Sequence, residues 1–408
     1  MTKKIKILSI PKLAEKIGVS TEWCRKNLQI KGYIKRTDNQ WELTKKGQNF
    51  GGTYRNHYGR YIAFPENITE DIHTRINAVD NHGIPIIDIP KRKKVLDIPL
   101  PNALGQAMVD IIQKPIFNRT GTSEWKNHIS NKIQDNGFDR ETNNFHRKKI
   151  VKQGQADFTS SSHGLNPDEI VLLYCYYYFQ MHYSSTVAVL RHLKKRLNEL
   201  FNNSKKVIFI DLGCGPMTSG ISFLDFINQD SILGLKKERD SNVETTKLEY
   251  YGWDISKSML VMGSTLGKSY SHNGNLSLRY STAKFYEDLD TLSGLPNDNG
   301  NETTIILNAC YLFASQSLDM QHFNKSIERI VNRNSRSKIL FIYQNADTTR
   351  EQVTGNYKKF ISNGFKSIKY MSNVNNLKFK FSDALGSSIK TDFIKTVKYS
   401  IIVYGENE

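Results

Sequence analysis

Between residues 205 and 403 the chain alternates short apolar runs with amphipathic helical stretches, and this alternation restricts the fold more than any other feature. Strands separated by helices pair most readily in parallel, so the pattern predicts an α/β fold with a doubly wound sheet. Seven strands are predicted: Val207 to Leu212, Leu248 to Trp253, Leu276 to Ser281, Thr303 to Leu307, Ile339 to Tyr343, Ile368 to Met371 and Val397 to Tyr404. The first ends in Asp211-Leu212-Gly213-Cys214-Gly215-Pro216-Met217-Thr218-Ser219-Gly220, after which Ile221, Phe223 and Leu224 open a helix. An acid at a strand's carboxyl end, followed by two glycines that let a ligand approach the backbone, marks a small-molecule crevice.

A dinucleotide site requires Gly-x-Gly-x-x-Gly, and here Thr218 holds the third glycine's place. The segment "VIFIDLGCGPMTSG" instead resembles motif I of the class I S-adenosylmethionine-dependent methyltransferases. That resemblance implies a seven-stranded Rossmann-like sheet that binds S-adenosyl-L-methionine through Asp211, Gly213, Cys214 and Gly215. The cofactor carries an ammonium and a sulfonium and no phosphate, so an acid is useful there. In "YYGWDISKSML" the resemblance assigns Asp254 to the two ribose hydroxyls and Ile255 to the adenine. After the third predicted strand, Ser281-Thr282-Ala283 replaces the family's usual acid, so Ser281 or Thr282 is expected to supply a hydroxyl. The fourth runs into Asn308-Ala309-Cys310-Tyr311, whose ends resemble the acceptor motif of amino-methyltransferases. Asn308 and Tyr311 are therefore the expected catalytic pair, although Ala309 and Cys310 stand where that motif has prolines.

The formal charge of the 408-residue chain is +17, and it is unevenly placed. Residues 1–60 hold 14 Lys and Arg against 4 Asp and Glu. A basic head on a nearly balanced body suits contact with a polyanion. The segment "LAEKIGVSTEWCRKNLQIKGYIKR…WELTKKG" resembles the winged helix-turn-helix of bacterial and phage DNA-binding proteins. This implies nucleic-acid contacts by Arg25, Lys26 and Lys31 on and after the second helix, and by Lys35, Arg36 and Lys45 around the wing. DNA is the expected partner ahead of RNA, and a homodimer through the same domain is an option the resemblance leaves open.

Three domains follow: residues 1–60 as the winged helix, 61–165 as a partly helical connector, and 166–408 as the methyltransferase domain with its leading helices. The tyrosine-rich run from Asn166 to Met181 reads as a buried helix face. Four scattered cysteines, with no Cys-x-x-Cys pair, suggest neither a disulfide framework nor a structural zinc site, and fit a reducing cytoplasm. No membrane span and no metal are expected. The function expected is a methyltransferase acting on or recruited to nucleic acid. Two alternatives stay open: a DNA-binding regulator that senses S-adenosylmethionine without turnover, and a methyltransferase for small molecules or proteins.

Overall fold

The computed structural model describes residues 6–17, 21–37, 40–56, 60–68, 76–79, 85–87, 95–118, 123–129, 133–134, 137–201, 204–229, 246–273, 276, 279–295, 302–315, 317–346, 351–362, 368–385 and 392–404. The chain divides into two compact units, one comprising residues 1–90, 369–373 and 406–408 and the other residues 91–368 and 374–405.

The first unit opens with β1 (Ile7–Ser9), α1 (Ile10–Ile17) and α2 (Thr21–Ile30). A hairpin follows, made of β2 (Ile34–Thr37) and β3 (Gln40–Leu43), then α3 (Lys45–Asn49), β4 (Thr53–Asn56) and β5 (Arg60–Pro65). Ile10, Leu13 and Ala14 fall on one face of α1, and Cys24 and Leu28 on one face of α2, so each helix has a single apolar stripe to cover. They bury it together with Tyr33, Ile34, Leu43, Ile62, Phe64 and Ile68. In the hairpin Ile34 pairs with Leu43 and Lys35 with Glu42, while β5 runs antiparallel to both β1 and β4. Thr44 caps α3, its Oγ1 accepting from the Gly47 amide at 3.0 Å.

In the second unit, α4 (Pro167–Tyr174) starts at a capping box: the Asn166 side chain accepts from the Glu169 amide and the Glu169 carboxylate accepts from the Asn166 amide. One π-helical turn, Cys175–Phe179, links it to α5 (Gln180–His192). The sheet is built from β6 (Lys206–Leu212), β7 (Lys247–Trp253), β8 (Thr282–Tyr286), β9 (Thr303–Cys310), β10 (Lys338–Ala346), β11 (Asn375–Ser382) and β12 (Asp392–Tyr404). Its order is β8-β7-β6-β9-β10-β12, with β11 on the far side of β12. The pairs from β8 to β10 are parallel, whereas β12 is antiparallel to β10 and to β11. Val207 to Leu212 and Ile305 to Leu307 are buried throughout, as strands covered on both faces must be. The helices α6 (Thr218–Gln229) and α7 (Lys257–Asn273) follow β6 and β7.

Two strands differ from the sequence expectation. The third begins at Thr282, so Ser281 precedes it, and Thr282 pairs with Glu249 near the start of β7. The apolar alternation of "LSLRYS" resembles a strand, yet Leu276, Arg279 and Tyr280 are irregular and Ser277 and Leu278 lie outside the described residues. The predicted sixth strand is present as Ile368–Ser372, with Met371 and Ser372 parallel to Ile86 and Ile87, whereas β11, which pairs with β12, is a further strand that the sequence pattern did not predict. Lys378 and Lys380 alternate with Leu377, Phe379 and Phe381 along β11, so it carries no continuous apolar run.

Candidate active site

β6 is the strand from which the chain turns to β7 on one side and to β9 on the other, so its carboxyl end is a topological switch point. There Gly213 and Gly215 both take left-handed φ, at 66° and 50°, and Met217 follows at 60°. A Cβ on Gly213 would lie 2.7 Å from Leu312 Cδ1, whereas one on Gly215 would meet only Met259 Sδ, at 3.9 Å. The second glycine therefore leaves its backbone open. The close approach of helix to sheet that the third glycine gives in dinucleotide-binding folds falls here to Gly220 in α6. A Cβ there would sit 2.4 Å from the Tyr250 ring, and its carbonyl accepts from Tyr280 Oη at 2.7 Å.

Asp254, directly after β7, is tied to this turn. Its carboxylate accepts from the Gly215 amide at 3.0 Å and from the Ser256 amide at 2.9 Å. The Cys214 amide donates to Trp253 O at 2.8 Å, and the Asp254 amide to Tyr286 O at 3.2 Å. Burial pushes the Asp254 carboxyl up to about 6 against these two amide donors. Ile255, next in sequence, projects with half of its surface exposed.

Asp211 is fully buried. Asn308 Nδ2 donates to its Oδ1 at 3.1 Å and Tyr250 Oη to its Oδ2 at 3.3 Å, and the Gly220 amide is a third donor. Burial pushes the carboxyl up to about 7 despite them, and Asp254 adds to the rise. Among the described residues, the groups acting on Asp211 include no cation. A buried acid with neutral donors and no counter-charge suits a positively charged ligand nearby.

The structure brings Asp211, Gly213, Cys214, Gly215, Asp254 and Ile255 together at one end of the sheet. It places Ser281 and Thr282 at the opposite end, where the Ser281 amide and hydroxyl both donate to Leu248 O near the start of β7. That position corrects their expected place in the crevice: the strand begins, rather than ends, at these residues. Glu287 and Asp288 occupy the carboxyl end of β8 instead, and the Glu287 carbonyl accepts from Trp253 Nε1.

Asn308 is also fully buried, and its amide is divided between Asp211 and Gln344, whose Nε2 donates to Asn308 Oδ1 at 2.8 Å. Its position supports Asp211 rather than presenting a free amide to an acceptor. Tyr311 is half-buried, has φ 62°, and stacks on His182 with ring centroids 4.0 Å apart. In sequence, the tyrosine-rich run from Asn166 to Met181 reads as a buried helix face. In the structure the rings of α4 and α5 continue from Tyr311 through His182 and Tyr174 to Phe158, whose carbonyl accepts from Ser256 Oγ at 2.7 Å. Burial pushes the His182 imidazole down to about 3, so this wall is uncharged at neutral pH. Tyr174, Tyr178 and His182, four residues apart along the helical run, share this wall, with the π-helical turn Cys175–Phe179 between the first and the last of them.

In the first unit Lys35, Arg36 and Lys45 are exposed, and Arg25 and Lys31 are half-buried. The side chain of Lys26 lies outside the described residues. Arg36 lies over the Trp41 ring at 5.8 Å, and Lys35 pairs with Glu42 at 3.4 Å. Lys46, over the Tyr33 ring, adds a cation that the sequence reading passed over. Among the described residues no three His, Cys, Asp or Glu side chains assemble a metal site, the four cysteines are free, and no helix is long and apolar enough to cross a membrane.

No protein-family description and no curated protein match the chain. Solved structures similar to it include a putative class I S-adenosylmethionine-dependent methyltransferase from Listeria monocytogenes, at 12% identity and a TM-score of 0.35, covering 76% of this chain and 88% of that one. A second is DszA carbon methyltransferase, at 12% identity and a TM-score of 0.32, covering 98% of this chain and 84% of that one. A third is precorrin-6y C5,15-methyltransferase from Geobacter metallireducens, at 10% identity and a TM-score of 0.30, covering 52% of this chain and 88% of that one.

Proposed function

We propose that this protein is an S-adenosylmethionine-dependent methyltransferase recruited to nucleic acid, DNA ahead of RNA, through its N-terminal unit. The observation that carries the reading is the convergence of buried Asp211, the left-handed glycine turn and Asp254 at the switch point of the sheet. When bound, the cofactor supplies an already activated methyl group, so little covalent help is asked of the protein. The protein's residues position and desolvate. The Asp254 carboxylate retains lone pairs for the vicinal hydroxyls of a ribose, Ile255 offers an apolar face to the adenine, and Asp211 supplies negative charge to the cationic end. The uncharged wall of Phe158, Tyr174, His182 and Tyr311 keeps water from the acceptor side.

Incubation with labelled S-adenosylmethionine and separate DNA, RNA and protein fractions tests the reading: label is expected in nucleic acid, and its absence from both DNA and RNA overturns that acceptor class. For the head, the two-helix unit with its basic hairpin supports a winged helix docked on duplex DNA. Charge reversal at Lys35, Arg36 and Lys45 together is expected to weaken DNA binding about 100-fold. It should also reduce the dependence of log K on log salt by about 2 to 3, following roughly 0.9 per phosphate contact. Fluorescence anisotropy across a salt series measures both, and an unchanged slope counts against phosphate contact by these residues.

One observation favours a second reading, a DNA-binding regulator that senses the cofactor without turnover. Both polar atoms of Asn308, where amino-methyltransferases place their acceptor-binding side chain, are engaged inside the protein. Multiple turnover on any substrate excludes sensing as the sole function.

A further inference from the structure

We infer that Gln344 is a positioning residue for the cofactor site, orienting Asn308 so that a donor, never an acceptor, faces Asp211. The inference rests on the proposed cofactor reading and deepens it. Gln344 lies on β10, two strands from Asp211, and is fully buried. Its Nε2 donates to Asn308 Oδ1 at 2.8 Å, and Asn308 Nδ2 donates to Asp211 Oδ1 at 3.1 Å. The polarity of this chain is dictated by chemistry. An ionised carboxylate only accepts, so Asn308 must present its NH2 to Asp211 and its oxygen to β10. A partner on β10 must therefore donate, which Gln does and an ionised Glu cannot. The other end of the Gln344 amide is accounted for, because Oε1 lies 4.0 Å from Cys310 Sγ, which in turn contacts Thr186 Oγ1 at 3.4 Å. Every link points its donor toward Asp211. The same residue also serves the acceptor side: the Gln344 carbonyl accepts from the Tyr311 amide at 2.9 Å, fixing a residue held at left-handed φ. One buried side chain thus sets the proton arrangement beneath the glycine turn, while its backbone sets Tyr311.

In its ionised form the carboxylate of Gln344→Glu keeps the shape and reverses the polarity. Asn308 must then turn its NH2 to β10 and its oxygen to Asp211, where two acceptors meet unless the carboxyl holds a proton. Binding of S-adenosylhomocysteine, measured by titration calorimetry between pH 5.5 and 8.5, reads this directly. Q344E is expected to weaken binding about tenfold at pH 7 and to move its acid limb upward by about one unit. The groups facing Asp211 are Tyr250, Tyr280, Cys214, Cys310 and Asp254. The tyrosines and thiols are pushed upward by burial, out of this pH range, which leaves Asp254 as the second titrating group in the wild type and in Gln344→Met, while Q344E adds its own carboxyl as a third. Adding Asp211→Asn to Q344E restores a donor opposite the turned Asn308, and the double variant is expected to melt above Q344E alone. If Q344E does not fold, Gln344→Met, which removes the donor without adding charge, is expected to show the same upward movement at smaller amplitude. A folded Q344E or Q344M with the wild-type affinity and pH profile overturns the inference and leaves the cofactor reading intact. A wild-type protein that binds neither S-adenosylhomocysteine nor S-adenosylmethionine overturns both.

Discussion

Replacing Asp254 with alanine is expected to lower affinity for S-adenosylmethionine about 100-fold or more, the largest single loss in the molecule. Two effects add. The carboxylate's contacts with a ribose disappear, and hydrogen bonds to a charged group contribute about 1.5 to 3 kcal/mol each. The Gly215 and Ser256 amides also lose their shared acceptor, and the glycine turn with them loses its tether to β7. Asp254→Asn separates the two effects. Its single oxygen can serve one of the two amides while its NH2 opposes the other, so an intermediate loss of about tenfold is expected. Calorimetry on both variants, with circular dichroism to verify the fold, checks the order; a D254A protein within about twofold of wild type removes Asp254 from the cofactor site.

Asp211→Asn is expected to stabilise the ligand-free protein at alkaline pH while weakening the cofactor. Burial holds the Asp211 carboxyl near 7 in the folded chain, above its ordinary value of 3.8. The folded state therefore binds this proton more tightly than the unfolded state does. Between about pH 4 and pH 7 stability falls as pH rises, and above 7 the full cost of a buried charge is present. A shift of that size corresponds to about 4 kcal/mol, taken as an upper bound for a site that can relax. Asparagine removes the titration and retains an oxygen for the Asn308 amide. D211N should thus denature at higher urea concentration than wild type at pH 8, with a difference that is less than half as large at pH 5 and closes toward pH 4. A variant less stable than wild type at pH 8 shows that the carboxylate has a cationic partner in the free protein. Such exchange of stability for function is common where a site is built for an absent charge.

The glycine turn and its two acids were legible in the sequence because local pattern alone defines them: a strand, a forced left-handed turn and a helix start within fourteen residues, and a second strand ending in an acid. Asn308 was legible as a position and not as a role. Its partners Asp211 and Gln344 are 97 and 36 residues away, and only the parallel register of β6, β9 and β10 brings the three into a row. Ser281 and Thr282 were misplaced because a few apolar residues ahead of β8 imitate a strand, while the real one, Thr282–Tyr286, contains Lys284. The aromatic wall was hidden for a related reason: a buried helix face looks the same in sequence whether it packs on other core residues or borders a crevice. Joining of residues 369–373 to the first unit depends on contacts nearly three hundred residues apart, which no periodicity encodes.

The position of β12 has a consequence for the birth of the molecule. This strand, residues 392–404, is inserted between β10 and β11, both of which leave the ribosome before it. Until it arrives, Ile339 to Ile342 of β10 present an apolar edge with open backbone donors and acceptors, the kind of edge on which nascent chains aggregate. The cofactor turn, by contrast, needs only β6, β7 and the helices between and after them, which emerge some 130 residues earlier. Synthesis therefore passes through an interval in which the proposed cofactor site is assembled on a sheet still lacking its antiparallel pair, and a cofactor that bound there would act as a folding aid as well.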